Sequence, residues 1–360
     1  MQMKYFASLA LMMMVLFQVS TAQTLKVPFN DKNVAYEGRV KMNADNAELI
    51  WSGTSVRINF VGTNIAGRFK DLDTCNYYNI IVDGKLTSTI HFDNYEQDYT
   101  LAENLKDGKH SLQLFKRTEW DKGKTLFYGF EIAGKGKALK PSKLPKRKIE
   151  FFGNSITCGY AIEEGSQDRY FGYFENNYNT YAALTARYFN AQYHCTSKSG
   201  IGITVSWFPL IMPEMYNRLD PTDPNSKWDF SLYTPDIVVI NLFQNDSWLV
   251  NMPEHESFKQ RFGTQKPSED FIIDSYRNFV KTIRSTYPNA HIICMLGNMD
   301  ATREGSPWPG YIQKAVDSLG DTKMHTLFAP YKGTPEHPNT KAQQAMADLL
   351  INYIKKNIKW

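Results

Sequence analysis

Residues Phe151-Phe152-Gly153-Asn154-Ser155-Ile156-Thr157 end a short apolar run and place a serine where a buried strand would leave its sheet. Far downstream, His337-Pro338 opens an amphipathic segment. A serine hydroxyl is a weak nucleophile until a neighbouring base takes its proton. An imidazole on a late loop is one way for an α/β sheet to bring that base to its strand ends. Gly153 permits a tight turn, and the N–H groups of a helix starting at Ser155 favour developing negative charge. A serine at this point also serves as a plain helix N-cap. The spacing alone leaves both readings open.

Two more segments carry groups that such chemistry uses. Asn245 lies in Asn241-Leu242-Phe243-Gln244-Asn245-Asp246, just past an apolar run, where its amide can donate to an oxyanion. Asn-Asp is equally an ordinary turn pair. Gly200 and Gly202, in Ser197-Lys198-Ser199-Gly200-Ile201-Gly202, each offer an unobstructed backbone N–H. Of seven histidines, His337 alone precedes a proline suited to the first turn of a helix. Trp207, Trp248 and Trp308 follow these segments. An exposed Trp308, in Ser306-Pro307-Trp308-Pro309-Gly310, would stack on a sugar ring; a buried one would be packing.

These side chains need a sheet to hold them. Lys148–Phe152, Asp236–Leu242, Ala290–Leu296 and Met324–Ala329 read as buried strands. Ile237-Val238-Val239-Ile240 is apolar throughout, as parallel strands covered on both faces are. Between them, Ile272, Tyr276, Phe279, Val280 and Ile283 share a helical face, as do Ala342, Ala345, Met346, Leu349, Leu350, Tyr353 and Ile354. The alternation predicts a three-layer α/β domain with its site at the strand C-termini.

The first third of the chain has a different period. Val56–Phe60 and His110–Leu114 alternate, Tyr78–Val82 runs into the turn pair Asp83-Gly84, and Leu126–Ile132 is a further strand. This predicts an all-β sandwich. The basic stretch Lys135–Lys148, with Pro141 and Pro145, reads as a linker. The expected organisation is an export signal over 1–22, a β-sandwich over 23–138, a linker over 139–147 and the α/β domain over 148–360.

Composition narrows the function. The chain has 360 residues, 42% hydrophobic and 14% aromatic, enough for two cores. A net charge of +4 without a basic stripe argues against nucleic acid as partner. Lys4, the apolar Ala7–Phe17 and the small residues Ser20-Thr21-Ala22 have the order of an export signal; a membrane anchor is the rival reading, but the run is short for a span. The expected location is secreted or periplasmic, with no later span. Cys75, Cys158, Cys195 and Cys294 show no metal-binding spacing, and the last three read as buried free thiols.

In order, the four segments resemble the blocks of the SGNH/GDSL hydrolase superfamily. Gly153-Asn154-Ser155 matches its Gly-Asp-Ser block, Gly202 its glycine block, Phe243-Gln244-Asn245-Asp246 its Gly-x-Asn-Asp block, and Thr334-Pro335-Glu336-His337-Pro338 its Asp-x-x-His-Pro block. Ser155-Ile156-Thr157-Cys158-Gly159-Tyr160 narrows the resemblance to carbohydrate esterase family 2, an N-terminal jelly-roll followed by an SGNH domain. So do the N-terminal elements Tyr36-Glu37-Gly38-Arg39, Trp51-Ser52-Gly53 and Lys116-Arg117-Thr118-Glu119.

That resemblance implies a secreted carbohydrate O-acetyl esterase acting on acetylated polysaccharide such as xylan or glucomannan. Ser155 would be the nucleophile and His337 the base. The Ser155 and Gly202 N–H groups and the Asn245 amide would form the oxyanion hole. No metal or cofactor is implied. A lipase- or thioesterase-type acyl hydrolase and a non-catalytic carbohydrate-binding protein are the alternatives. Three positions depart from the pattern: Asn154 for aspartate, Phe243 for glycine, and Thr334 for the aspartate that would orient the histidine. A Ser–His dyad steered by a backbone carbonyl would fit the last departure.

Overall fold

The computed structural model describes residues 24–134, 136–164 and 171–360. The expected export segment and Lys135 lie outside them.

Two antiparallel sheets form the N-terminal region. In one, Val40–Met42, Ala47–Leu49, Thr125–Ile132, Ile65–Asp71 and Gln97–Ala102 are neighbours in that order, and Leu25–Pro28 also pairs with Thr125–Ile132. In the other, the order is Lys137–Leu139, Ser55–Val61, Lys109–Lys116, Tyr77–Val82 and Lys85–His91, with Val34–Glu37 also on Ser55–Val61. Alternation sends Val56, Ile58 and Phe60 inward, where they meet Leu112 and Leu114 from their own sheet and Phe69, Phe127 and Phe130 from the other. Asp83 and Gly84 both hold positive φ, 51° and 76°, as a tight hairpin turn requires. The stretch read as linker begins inside this sandwich: Lys137–Leu139 pairs antiparallel with Ser55–Val61.

The rest of the chain builds a parallel sheet in the order Gln192–Ser197, Lys148–Gly153, Ile237–Asn241, His291–Leu296, Met324–Phe328. Helices Glu269–Thr286 and Trp308–Asp317 cover one face, and Tyr181–Tyr188 and Thr340–Asn357 the other. Val238 and Ile240 point into the first layer and Ile237 and Val239 into the second, which explains their unbroken apolar run. Sequence reading missed the strand Gln192–Ser197. Its polar residues are buried and hydrogen-bonded instead of apolar: Tyr193 Oη donates to Asn177 at 2.9 Å, and Thr196 Oγ1 to Glu150 at 3.1 Å.

The two regions meet through buried polar contacts. Arg39 Nη2 pairs with Glu150 Oε1 at 2.9 Å, both fully buried, and Arg39 Nη1 donates to the carbonyls of Tyr216 and Arg218. Trp51 Nε1 donates to Leu219 O at 2.7 Å. These bonds fix the β-sandwich against the strand that carries the serine. Among the described residues, no helix is long and apolar enough to cross a membrane.

Candidate active site

Strand Lys148–Gly153 delivers Ser155 to the C-terminal edge of the parallel sheet. Only glycine fits at 153, because a Cβ there would lie 2.0 Å from Thr157 Oγ1. The short helix Ser155–Cys158 is capped by Asn154, whose Oδ1 accepts from Ile156 N at 3.1 Å. The capping role therefore falls on the residue before the serine. The Ser155 hydroxyl instead contacts His337 Nε2 at 2.9 Å.

His337 sits in the loop before helix Thr340–Asn357. That helix starts after Asn339, which accepts from Ala342 N at 3.1 Å, so Pro338 lies outside its first turn. From the same helix, Gln343 donates to Ile156 O at 2.8 Å and accepts from Tyr181 N at 2.8 Å. These two bonds tie the helix behind the histidine to the turn behind the serine. The Tyr160 ring packs against the imidazole with centroids 4.7 Å apart. Thr334, at the position of the family's aspartate, is held by Lys332, whose Nζ donates to its carbonyl at 2.7 Å and to its hydroxyl at 2.5 Å.

The second and third blocks form one unit. Asp246, fully buried, accepts the backbone N–H groups of Ile203, Thr204 and Val205 and the Thr204 hydroxyl at 2.6 to 3.3 Å. Burial raises its carboxyl above the ordinary value, against the lowering effect of those donors. Asn245 Nδ2 donates to Ile201 O at 2.8 Å, and its Oδ1 accepts from Trp207 Nε1 at 3.1 Å. Phe243 adopts φ 88°, a left-handed conformation costly for a bulky residue, at the position where the family pattern has glycine. Its ring is buried against Tyr276 and Trp308, with centroids 4.7 and 5.0 Å away.

Two expected site residues fall elsewhere. The Gly202 N–H donates to Ser206 Oγ at 2.9 Å. A Cβ at Gly202 would lie 2.0 Å from Val205 O and 2.5 Å from Asp246 Oδ2, so this glycine makes room for the buried carboxylate. Gly200, with φ 82°, is the glycine on the pocket wall. Trp308 is 6% exposed and starts a helix packed into the core, so it offers no stacking face.

Ser155, His337, Gly200 and Asn245 line a pocket of about 420 Å³. Trp207, Phe208, Trp248 and Tyr160 supply its aromatic walls. Trp207 is 40% exposed, with its backbone N bonded to Gly200 O at 3.0 Å. Trp248 Nε1 is anchored on Asp300 at 2.8 Å.

Sequence reasoning missed Asp121 and Lys198, which with Ser199 complete the lining. Asp121 belongs to the turn Trp120–Lys122 of the N-terminal region, 34 positions before the serine, and no local signal connects them. Lys198 Nζ lies 2.5 Å from Asp121 and 3.5 Å from Glu119. Burial opposes its charge, yet the two carboxylates hold it above the ordinary lysine value. All four cysteines are free, Cys75 exposed and the others buried. Among the described residues, no group of three or more His, Cys, Asp or Glu side chains is placed to hold a metal.

The chain matches two family models, "Carbohydrate esterase 2 N-terminal" over residues 36–141 and "GDSL-like Lipase/Acylhydrolase family" over residues 151–348. It is 33% identical to a cellulase/esterase, CelE, of Acetivibrio thermocellus, over 94% of this chain and 41% of that protein's length. It is 23% identical to an acetylxylan esterase/glucomannan deacetylase of Cellvibrio japonicus, covering 94% of this chain and 93% of that one. The structure of a family two carbohydrate esterase from Clostridium thermocellum in complex with cellohexaose superposes with a TM-score of 0.79 at 34% identity, covering 90% of this chain and 98% of that one. The serine turn, the histidine loop and the domain matches agree: the chain belongs to the GDSL-like lipase/acylhydrolase family and carries a carbohydrate esterase 2 N-terminal domain before its hydrolase domain.

Proposed function

We propose that this protein is an exported carbohydrate O-acetyl esterase that removes acetyl groups from a plant polysaccharide such as xylan or glucomannan. The observation that carries the reading is the 2.9 Å contact between Ser155 Oγ and His337 Nε2 in an aromatic-walled pocket. The names of the relatives from Acetivibrio thermocellus and Cellvibrio japonicus support the reaction class and the substrate class.

In this mechanism His337 Nε2 takes the Ser155 proton as Oγ attacks the acetyl carbonyl carbon. The negative charge moves to the carbonyl oxygen. Its donors are the Ser155 N–H, a glycine N–H and the Asn245 amide. The glycine is assigned to Gly200, because the Gly202 N–H is committed to Ser206. An amide nitrogen carries two hydrogens; the one Asn245 does not give to Ile201 is the oxyanion donor. The imidazolium then protonates the departing sugar oxygen, and the C–O bond breaks to leave acetyl-Ser155. Water, deprotonated by His337, attacks the acetyl carbon; the bond to Ser155 Oγ breaks, the imidazolium returns its proton to Oγ, and acetate leaves. The division into a sandwich over 23–138, a linker over 139–147 and a hydrolase domain over 148–360, and the export of the chain after residue 22, are part of the same proposal.

The test is acetate release from acetylated xylan and acetylated glucomannan, beside a long-chain acyl ester. Release from a glycan is expected. Turnover of the long-chain ester alone would replace this reading with a lipase-type one.

A further inference from the structure

The N-terminal domain contributes more than a wall to this pocket. Asp121 Oδ1 lies 3.2 Å from Lys122 Nζ, and its Oδ2 lies 2.5 Å from Lys198 Nζ. Lys122 comes from the same domain and Lys198 from the hydrolase domain, so the carboxylate is gripped across the junction. Lys198 is in turn held over the rings of Trp120 and Phe208, at 5.1 and 5.3 Å. The Asp121 side chain keeps 18% of its surface exposed and faces the cavity that holds Ser155.

A fixed, charged carboxylate is an unfavourable neighbour for an aliphatic acyl chain, which offers it no hydrogen bond. It suits a hydroxylated leaving group, because O–H···O⁻ bonds to an ionised acceptor are about twice as strong as neutral ones. The two ammonium groups keep the acceptor charged and fix its direction. Trp207 and Trp248 give the same cavity the flat apolar surface that a pyranose ring also needs.

We infer that Asp121 is a specificity-determining residue that accepts a hydroxyl of the sugar ring bearing the acetyl group. The β-sandwich thereby takes part in substrate selection. The inference rests on the esterase reading above. It separates the sugar from the acyl group: the acetyl lies at Ser155 and Asn245, and the ring lies toward Asp121.

The test compares wild type and Asp121→Asn on two substrates, an acetylated xylo-oligosaccharide and 4-nitrophenyl acetate, whose leaving group has no sugar hydroxyl. The expected fall in kcat/KM on the oligosaccharide is at least tenfold greater than on the aryl ester. Equal falls on both would overturn the assignment of Asp121 and leave the esterase reading standing. Absence of acetate release by wild type from any acetylated oligosaccharide, with the aryl ester hydrolysed, would overturn both. If Asp121→Asn does not fold, Asp121→Glu keeps the charge for Lys198, displaces the oxygens by one methylene, and is judged by the same ratio.

Discussion

Glu119 Oε2, in the N-terminal domain, accepts the backbone N–H of Ser199 at 2.7 Å, one residue before Gly200, which lines the same pocket as Ser155. The Glu119 backbone N–H is itself bound by Glu175, from the hydrolase domain, at 2.5 Å. The loop that presents Gly200 is therefore set by a carboxylate from another domain. A neutral amide at Glu119 would weaken the charge-assisted bond to Ser199 and remove one partner of Lys198. Glu119→Gln is expected to lower kcat by about tenfold to a hundredfold, about 1.4 to 2.8 kcal/mol of barrier, with little change in KM. Steady-state kinetics on an acetyl ester, with a thermal melt to separate misfolding, checks this. A rise in KM at constant kcat would place Glu119 in substrate binding instead.

Asn245 is expected to act on the oxyanion. Removing such a donor lowers kcat about a hundredfold to a thousandfold. Asn245→Ala should show that loss. Ser206→Ala, which removes only the acceptor of the Gly202 N–H, should change kcat by less than about fivefold, since that group stands behind the site. If Ser206→Ala matched Asn245→Ala, Gly202 would return as the glycine donor.

Arg39 and Glu150 form a buried pair, with Glu150 also accepting from Tyr287 Oη at 2.5 Å and Thr196 Oγ1. Removing one partner leaves an uncompensated buried charge, at a cost of about 3–5 kcal/mol. Arg39→Ala is expected to lose that much in urea unfolding. A loss below about 1 kcal/mol would show that the junction does not depend on the pair.

Burial, and then the neighbouring Glu119, push the Glu175 carboxyl well above its ordinary value of 4.5. A carboxyl raised in the folded state favours folding at low pH, and that contribution is lost as pH climbs from 4.5 through the raised value. Glu175→Gln removes this titration. The melting temperature of the variant relative to wild type should therefore increase as pH rises from about 5 to 8. A constant difference across that range would show that Glu175 does not titrate there.

Much of the fold was legible because local period carried it. The alternation of Val56–Phe60 and the apolar run Ile237–Ile240 each have one sensible burial pattern. The positions of Ser155 and Asn245, just past marked strands, and of His337, just before a marked helix, follow from the same patterns. Strand Gln192–Ser197 was not, because hydrogen bonds to Asn177 and Glu150 take the place of apolar side chains in its core. Gly200 and Gly202 differ by two positions in one loop, and only the tertiary structure separates them: the Gly202 N–H is bonded to Ser206, while Gly200 lines the pocket. Trp308, between two prolines, reads equally as an exposed or a buried ring, and only packing decides it: the ring fills the space beside Phe243. Asp121 reaches the site through domain packing, which no local spacing encodes.

The role of Ser155 as nucleophile is tested by acetate release from an acetylated glycan by wild type and by Ser155→Ala at equal concentration. Wild type should release acetate steadily, and kcat should fall at least about a thousandfold in the variant, since loss of a nucleophile in a hydroxyl–imidazole pair abolishes the acyl-enzyme route. Release by Ser155→Ala at a rate near that of wild type would contradict it.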